Sequence, residues 1–253
     1  MNIPYSYFMV CLYAWMAIAF IVFLVLLRVT APYGRHTTNK WGKMIDNRAG
    51  WLIMELPALL VMSFVLIKTL NKPTFIITVL VSFYCIHYLN RTIIFPFRLH
   101  TRGKKMPVVI VCSAVLFNLL NTFFLGYYFL NFAVYPVNWL LGPQFITGAI
   151  VFAIGMYINW KADAELIGLR KKYETHYSVP RGWMFEYVSC PNLMGELIEW
   201  AGFWILCWSM PAFCFFLWSA ANLVPRALAH HSWYRNKFAE YPVKRKAVIP
   251  FIL

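Results

Sequence analysis

Long apolar runs separated by short basic segments dominate the chain, and that alternation restricts the solvent in which it can fold. The first run, from about Met9 to Leu27, has no charged side chain and reaches the roughly 20 residues that a helix needs to cross the hydrocarbon of a bilayer. Further runs lie near 51–67, 74–95, 107–131, 144–160 and 195–229, the last long enough for two helices around Pro211. The expectation is an all-α integral membrane protein, a bundle of seven transmembrane helices. With 61% hydrophobic and 13% charged residues, the chain falls outside the range of soluble domains. The first run is too long for a secretory signal core and has no basic cluster before it, so an uncleaved helix is expected.

A formal charge of +14 suggests nucleic acid at first sight, but the cations sit in loops between the apolar runs. Segment 28–50 holds Arg28, Arg35, Lys40, Lys43 and Arg48; segment 98–105 holds Arg98, Arg102, Lys104 and Lys105; segment 161–181 holds Lys161, Arg170, Lys171, Lys172 and Arg181. The positive-inside rule assigns these loops to the cytosol, and the stretch from Arg235 to Lys246 is basic too. Seven crossings then put the N-terminus outside and the C-terminus in the cytosol. No fixed-period repeat or composition shift divides the sequence, so residues 1–253 read as a single domain. The six cysteines are scattered and lack CxxC spacing; free, buried thiols are expected.

Ionisable groups inside the apolar runs are the candidates for function. Between Asp46 and Asp163 the only acidic residue is Glu55, in WLIMELPALLVMSFVLI. An ionised carboxylate is costly there, so the neutral form is expected, and a neutral carboxyl donates a hydrogen bond. The alternative is an interfacial Glu at a helix start, helped by the helix dipole. In YCIHYLNRT, Tyr84, Tyr88 and Arg91 are spaced i, i+4, i+7 on one helix face. A tyrosine so placed is commonly structural, but Tyr88 beside a neutral Glu55 would give two donors able to polarise one carbonyl.

Three polar stripes lie at the cytosolic ends of later runs. Asn159, Asp163 and Arg170 share one face; Asn192, Glu196, Glu199 and Trp200 share another; Arg226, His230 and Tyr234 share a third. Each alone could be a solvated surface or an ion-pair network. Together they suggest one cavity suited to a large polar ligand bearing phosphate. Neither GxGxxG nor a P-loop occurs, and neither HExxH nor the adjacent His230 and His231 favours a metal centre; none is expected.

Taken in order, the segments PYGRHT, ELPA, HYLNRT, RGKKMP, GYY, GMYINWKAD, PNLMGELIEWAG, RALAHHSWY and FAEYPVKRKAVIPFI resemble the membrane steroid 5α-reductases, the 3-oxo-5α-steroid 4-dehydrogenase family, over nearly the whole length. The C-terminal part, about 145–253, also resembles a wider superfamily of sterol reductases and isoprenylcysteine carboxyl methyltransferases. The blocks around Glu55 and Tyr88 favour the 5α-reductase branch.

That resemblance implies NADPH as cofactor, bound among the helices from the cytosolic side, and a 3-oxo-Δ4-steroid entering from membrane lipid. Glu55 and Tyr88 would hold the 3-keto oxygen as the catalytic, substrate-binding pair, and Trp200 would line the steroid pocket. Cofactor contacts would fall on Tyr33, Arg91, Arg102, Lys104, Asn159, Asp163, Arg170, Tyr177, Asn192, Glu196, Arg226, His230, His231 and Tyr234. Lys104 stands where familiar members have Arg, and Ser232 where they have a third His; Lys still binds phosphate, without the bidentate fork. The reaction implied is reduction of the Δ4 double bond to the 5α-steroid, in a bacterial inner membrane or the endoplasmic reticulum. No nucleic-acid or obligatory protein partner is expected. The alternatives are reduction of another lipid (polyprenol, sterol or enoyl thioester), S-adenosylmethionine-dependent methylation of a prenylated thiol, or non-enzymatic sterol sensing or transport.

Overall fold

A computed structural model describes residues 3–70, 75–100, 103–172 and 177–253. Among these the long helices are α1 (Tyr5–Leu26), α2 (Asn47–Leu70), α3 (Phe75–Leu89), α5 (Val108–Asn131), α6 (Pro143–Lys172), α7 (Pro191–Cys207) and α8 (Met210–Lys237). A π-helical turn, Asn90–Ile94, joins α3 to the short α4 (Phe95–Arg98) in one continuous rod. Among the described residues, six helical rods are long and apolar enough to cross a membrane. The protein is a multi-pass membrane protein. The 17-residue α7 is shorter than these and largely enclosed by its neighbours. The helix break in the last run falls at Trp208, which is left-handed, and Pro211 sits in the first turn of α8, where its missing N–H costs nothing.

The outward helix faces are apolar: Phe20, Leu60, Phe64 and Leu116 are all exposed, as suits lipid contact. Inside, α2 packs on α3 and α5, α1 on α8, and α7 between α6 and α8. The α6–α7 pair is the tightest. Gly148 and Gly155 on α6 meet the backbone of α7 at Leu206 and Glu199; Gly195 and Gly202 on α7 meet α6 at Asn159 and Phe152. A methyl group at any of the four would overlap the facing backbone, so glycine is what lets the helices approach so closely. This contact brings the stripe from Asn159 beside the stripe from Asn192.

The basic loops carry structure of their own. Met44–Asp46 pairs antiparallel with Lys105–Pro107, with Ile45 opposite Met106. Asp46 Oδ1 then accepts from the backbone N–H of Arg48 and Ala49, capping α2. Arg48 reaches the carbonyls of Pro96 and Leu99, which fixes the start of α2 against the end of the α3–α4 rod. All six cysteines are free, but only Cys190, Cys207 and Cys214 are buried; Cys11 and Cys112 are exposed on outward helix faces, where a bilayer replaces protein as the apolar cover.

Candidate active site

A polar cavity of about 140 Å³ opens where the loop after α1, the start of α2, the π turn and the helices α6, α7 and α8 converge. From the three stripes, Asp163, Arg170, Asn192, Arg226, His230 and Tyr234 all line it, joined by Tyr33 and Arg91. Asn192 bridges the α6–α7 seam, donating to Asp163 Oδ1 at 3.0 Å while its carbonyl accepts from Asn159 Nδ2 at 2.9 Å. Arg91 lies 3.7 Å from both Asp163 Oδ2 and Glu196 Oε2, and its guanidinium covers the rings of Trp51 and Phe95. Trp51, Phe95 and Arg91 thus form one wall.

The other wall is cationic. Arg226 donates to the carbonyls of Ala31 (2.8 Å) and Tyr33 (2.6 Å) and sits 3.8 Å above the Tyr33 ring. Arg35 lies over the rings of Tyr177, Trp233 and Tyr234, and its Nη1 is buried with no hydrogen-bond partner among the described residues. His36 stacks on His230, ring nitrogens 3.0 Å apart. Burial, then the charges of Arg226 and Arg35, lower the His36 imidazole to about 4, so it is neutral near pH 7. Burial pushes the Cys190 thiol up to about 12, which leaves that lining group unreactive. Four guanidinium groups face the cavity (Arg35, Arg91, Arg170, Arg226) against one lining carboxylate, Asp163, among the described residues. Such a surplus, with an orphaned guanidinium N–H, fits an anionic ligand bearing phosphate.

Other expected residues lie at or beyond the rim. Lys104 donates to the Tyr177 hydroxyl at 3.1 Å, and Tyr177 closes over Arg35 with Trp233. His231 does not line the cavity; it bonds Ser189 Oγ at 2.6 Å, tying α8 to the segment before α7. Arg102 lies outside the described residues.

A second polar group lies deeper. Glu55 on α2 and Tyr88 on α3 do not bond each other; Asn118 on α5 stands between them. Tyr88 Oη donates to Asn118 Oδ1 at 3.3 Å, and Asn118 Nδ2 donates to Glu55 Oε2 at 3.2 Å and to the Met54 carbonyl at 2.6 Å. Behind Tyr88, the rings of Tyr84 and Trp200 stack and tilt into a wall that includes Phe215. Arg91, three residues beyond Tyr88 and within the π turn, lines the outer cavity, and Thr92 of that turn donates to the Glu55 backbone carbonyl at 3.3 Å. Glu199, grouped by spacing with Glu196, instead bonds His87 at 2.9 Å beside Trp200.

Reasoning from sequence passed over Arg35, His87 and Asn118. Arg35 was counted only as a loop charge. For His87 and Asn118 a signal existed: each is a polar side chain within an otherwise apolar run, where polarity is costly without a partner.

Residues 104–253 match the family model described as 3-oxo-5-alpha-steroid 4-dehydrogenase. The chain is 39% identical over 250 residues to a steroid 5-alpha-reductase of Gossypium hirsutum, covering 96% of each chain. It is 39% identical over 240 residues to 3-oxo-5-alpha-steroid 4-dehydrogenase 1 of Rattus norvegicus, covering 93% of this chain and 91% of the relative. A steroid 5-alpha-reductase of Arabidopsis thaliana is 41% identical, with 90% of each chain covered. A match of this depth along nearly the full length, on a helical membrane scaffold, places the chain in the steroid 5-alpha-reductase family, as an oxidoreductase acting on a CH–CH bond.

Proposed function

We propose that the protein reduces the Δ4 double bond of a 3-oxo-Δ4-steroid to the 5α-reduced 3-oxo-steroid, with NADPH as cofactor. The observation that carries this reading is the Glu55–Asn118–Tyr88 chain, two potential donors held on either side of one carboxamide beside an aromatic wall. An isolated C=C accepts hydride poorly; conjugation to a ketone lets negative charge move to oxygen, provided donors meet it there. Neutral Glu55 and Tyr88 each offer an O–H to the 3-keto oxygen, so both hydrogen bonds strengthen as C5 becomes tetrahedral. Trp200, with Tyr84, lines the apolar slot for the rings.

NADPH, when bound, supplies the hydride to C5. Arg35, Arg170 and Arg226 suit its phosphates, as does Lys104 at the rim. Tyr33, Asn159, Asp163, Asn192, Glu196, His230 and Tyr234 would hold the rest of the dinucleotide around Arg91, with Arg102, Tyr177 and His231 as further contacts. A proton at C4 then completes the product. The same reading makes residues 1–253 one reductase domain with seven crossings, α7 included, its N-terminus outside and its basic loops and cofactor entrance cytosolic, in a bacterial inner membrane or the endoplasmic reticulum.

Membranes bearing the protein, given NADPH and a 3-oxo-Δ4-steroid, are expected to consume NADPH only when steroid is present, and to yield the 5α-steroid by mass spectrometry. Reduction confined to a polyprenol, a sterol or an enoyl thioester would overturn the substrate. Methyl transfer from S-adenosylmethionine with no NADPH consumption would overturn the reaction.

A further inference from the structure

Asn118 is 97% removed from solvent in the middle of an apolar helix, and each of its side-chain polar atoms is engaged. A carboxamide has two ends that are easily confused, but here the choice is forced. The Met54 carbonyl can only accept, so the end facing it at 2.6 Å is the NH₂ group, and the other end facing Tyr88 is the oxygen. Two consequences follow. Tyr88 must be the donor in its bond to Asn118. Glu55 Oε2, which receives the second N–H of Asn118, acts as an acceptor, a role the carbonyl oxygen of a neutral carboxyl fills better than the hydroxyl oxygen, so the acid hydrogen is favoured on Oε1. The Asn118 carbonyl oxygen of the backbone accepts from Thr122 Oγ1 at 2.6 Å, a further tie within α5.

We propose that Asn118 is a positioning residue for the Glu55–Tyr88 pair: it fixes which carboxyl oxygen carries the donated hydrogen and holds the Tyr88 hydroxyl apart from Glu55, keeping room for one ligand oxygen between them. Without it, carboxyl and phenol are free to bond each other, and an arriving ketone must break that bond first. With it, Tyr88 exchanges a long bond to an amide oxygen for one to an oxygen gaining charge, and Glu55, its Oε2 held by Asn118, presents the Oε1 side to the ligand. The proposal rests on the ketone-polarising reading given above.

Asn118→Leu keeps the branched shape, at somewhat larger volume, and removes all three hydrogen bonds. Its expected effect is a kcat for steroid reduction at least about 10-fold lower, with the dissociation constant for NADPH within twofold of wild type. In a Glu55→Gln background the same change is expected to cost much less, because the group that Asn118 orients is already gone. Asn118→Asp preserves shape and the acceptor for Tyr88 but, as a neutral acid, has one O–H in place of two N–H donors, so it cannot serve the Met54 carbonyl and Glu55 together, and it too is expected to lose turnover. Wild-type kcat in either variant that binds NADPH normally, or a full loss that persists in the Glu55→Gln background, would overturn the positioning role. Glu55→Gln with wild-type turnover would instead overturn the polarising mechanism on which it depends.

Discussion

His87 Nδ1 lies 2.9 Å from Glu199 Oε1, and the two side chains are 3% and 0% exposed. The pair joins α3 to α7 behind Trp200, and the other carboxyl oxygen, Glu199 Oε2, has no hydrogen-bond partner among the described residues. A partner removed from such a pair leaves a buried polar group with nowhere to turn. His87→Ala or Glu199→Ala is therefore expected to destabilise the fold by about 3 kcal/mol, whereas His87→Phe with Glu199→Leu is expected to recover much of that loss. Thermal unfolding in detergent measures both. Additive losses in the double variant would show that the two residues act separately.

Glu55→Gln replaces a strong neutral-acid donor with an amide donor of similar shape. On the proposed mechanism kcat falls by about 10²- to 10³-fold, and the dissociation constant for NADPH, bound at the outer cavity, is unchanged. Glu55→Ala is expected to fall at least as far. Single-turnover rates with a 3-oxo-Δ4-steroid separate the chemical step from binding.

The order of the long helices is legible in the sequence because apolar length is a local property, although of the seven crossings expected, six rods among the described residues are long and apolar enough and the 17-residue α7 is not. Each apolar run has its helix, from Tyr5–Leu26 to the pair on either side of Trp208. The apolar run ends near 160, but the helical spacing of Asn159, Asp163 and Arg170 extends the helix beyond it, and the helix does run on to Lys172, bringing Asp163 and Arg170 to the cavity. Periodicity also gave the face containing Arg226, His230 and Tyr234, which does line the cavity. It could not name the partners of Arg91 (Asp163 and Glu196) or of Glu199 (His87), because they are far away in sequence. Asn118 carries a signal, a polar side chain in an apolar run, but its partners Glu55 and Tyr88 are far away in sequence and spacing does not name them. Spacing reports which residues share a face, and only packing decides what that face meets.

His36 gives a pH dependence with a definite sign. Its imidazole is at about 4 in the folded chain against an ordinary 6.5, because burial and the neighbouring arginines oppose a positive charge. The unfolded chain therefore binds the extra proton first. The stabilising contribution is whole above pH 6.5 and is lost as pH falls from there through about 4. His36→Gln is expected to flatten the drop in unfolding temperature between pH 6.5 and 4 while leaving the value at pH 8 nearly unchanged. An unaltered pH profile in the variant would show that other groups carry the transition.

Arg35 offers the most direct test of the cavity as an anion site. Three aromatic rings hold the guanidinium, and no described hydrogen bond satisfies its buried Nη1, so a ligand phosphate would gain a donor already stripped of water. Charge-assisted bonds of this kind contribute about 1.5–3 kcal/mol. Arg35→Gln is accordingly expected to weaken NADPH binding by about 10-fold or more, and to lessen its sensitivity to salt, while steroid KM at saturating NADPH stays near wild type. Arg35→Lys retains the charge but not the planar fork stacked on the rings, so an intermediate loss is expected. Equilibrium binding of NADPH at two ionic strengths decides the matter. Equal affinity in wild type and Arg35→Gln at both would remove Arg35 from the cofactor site.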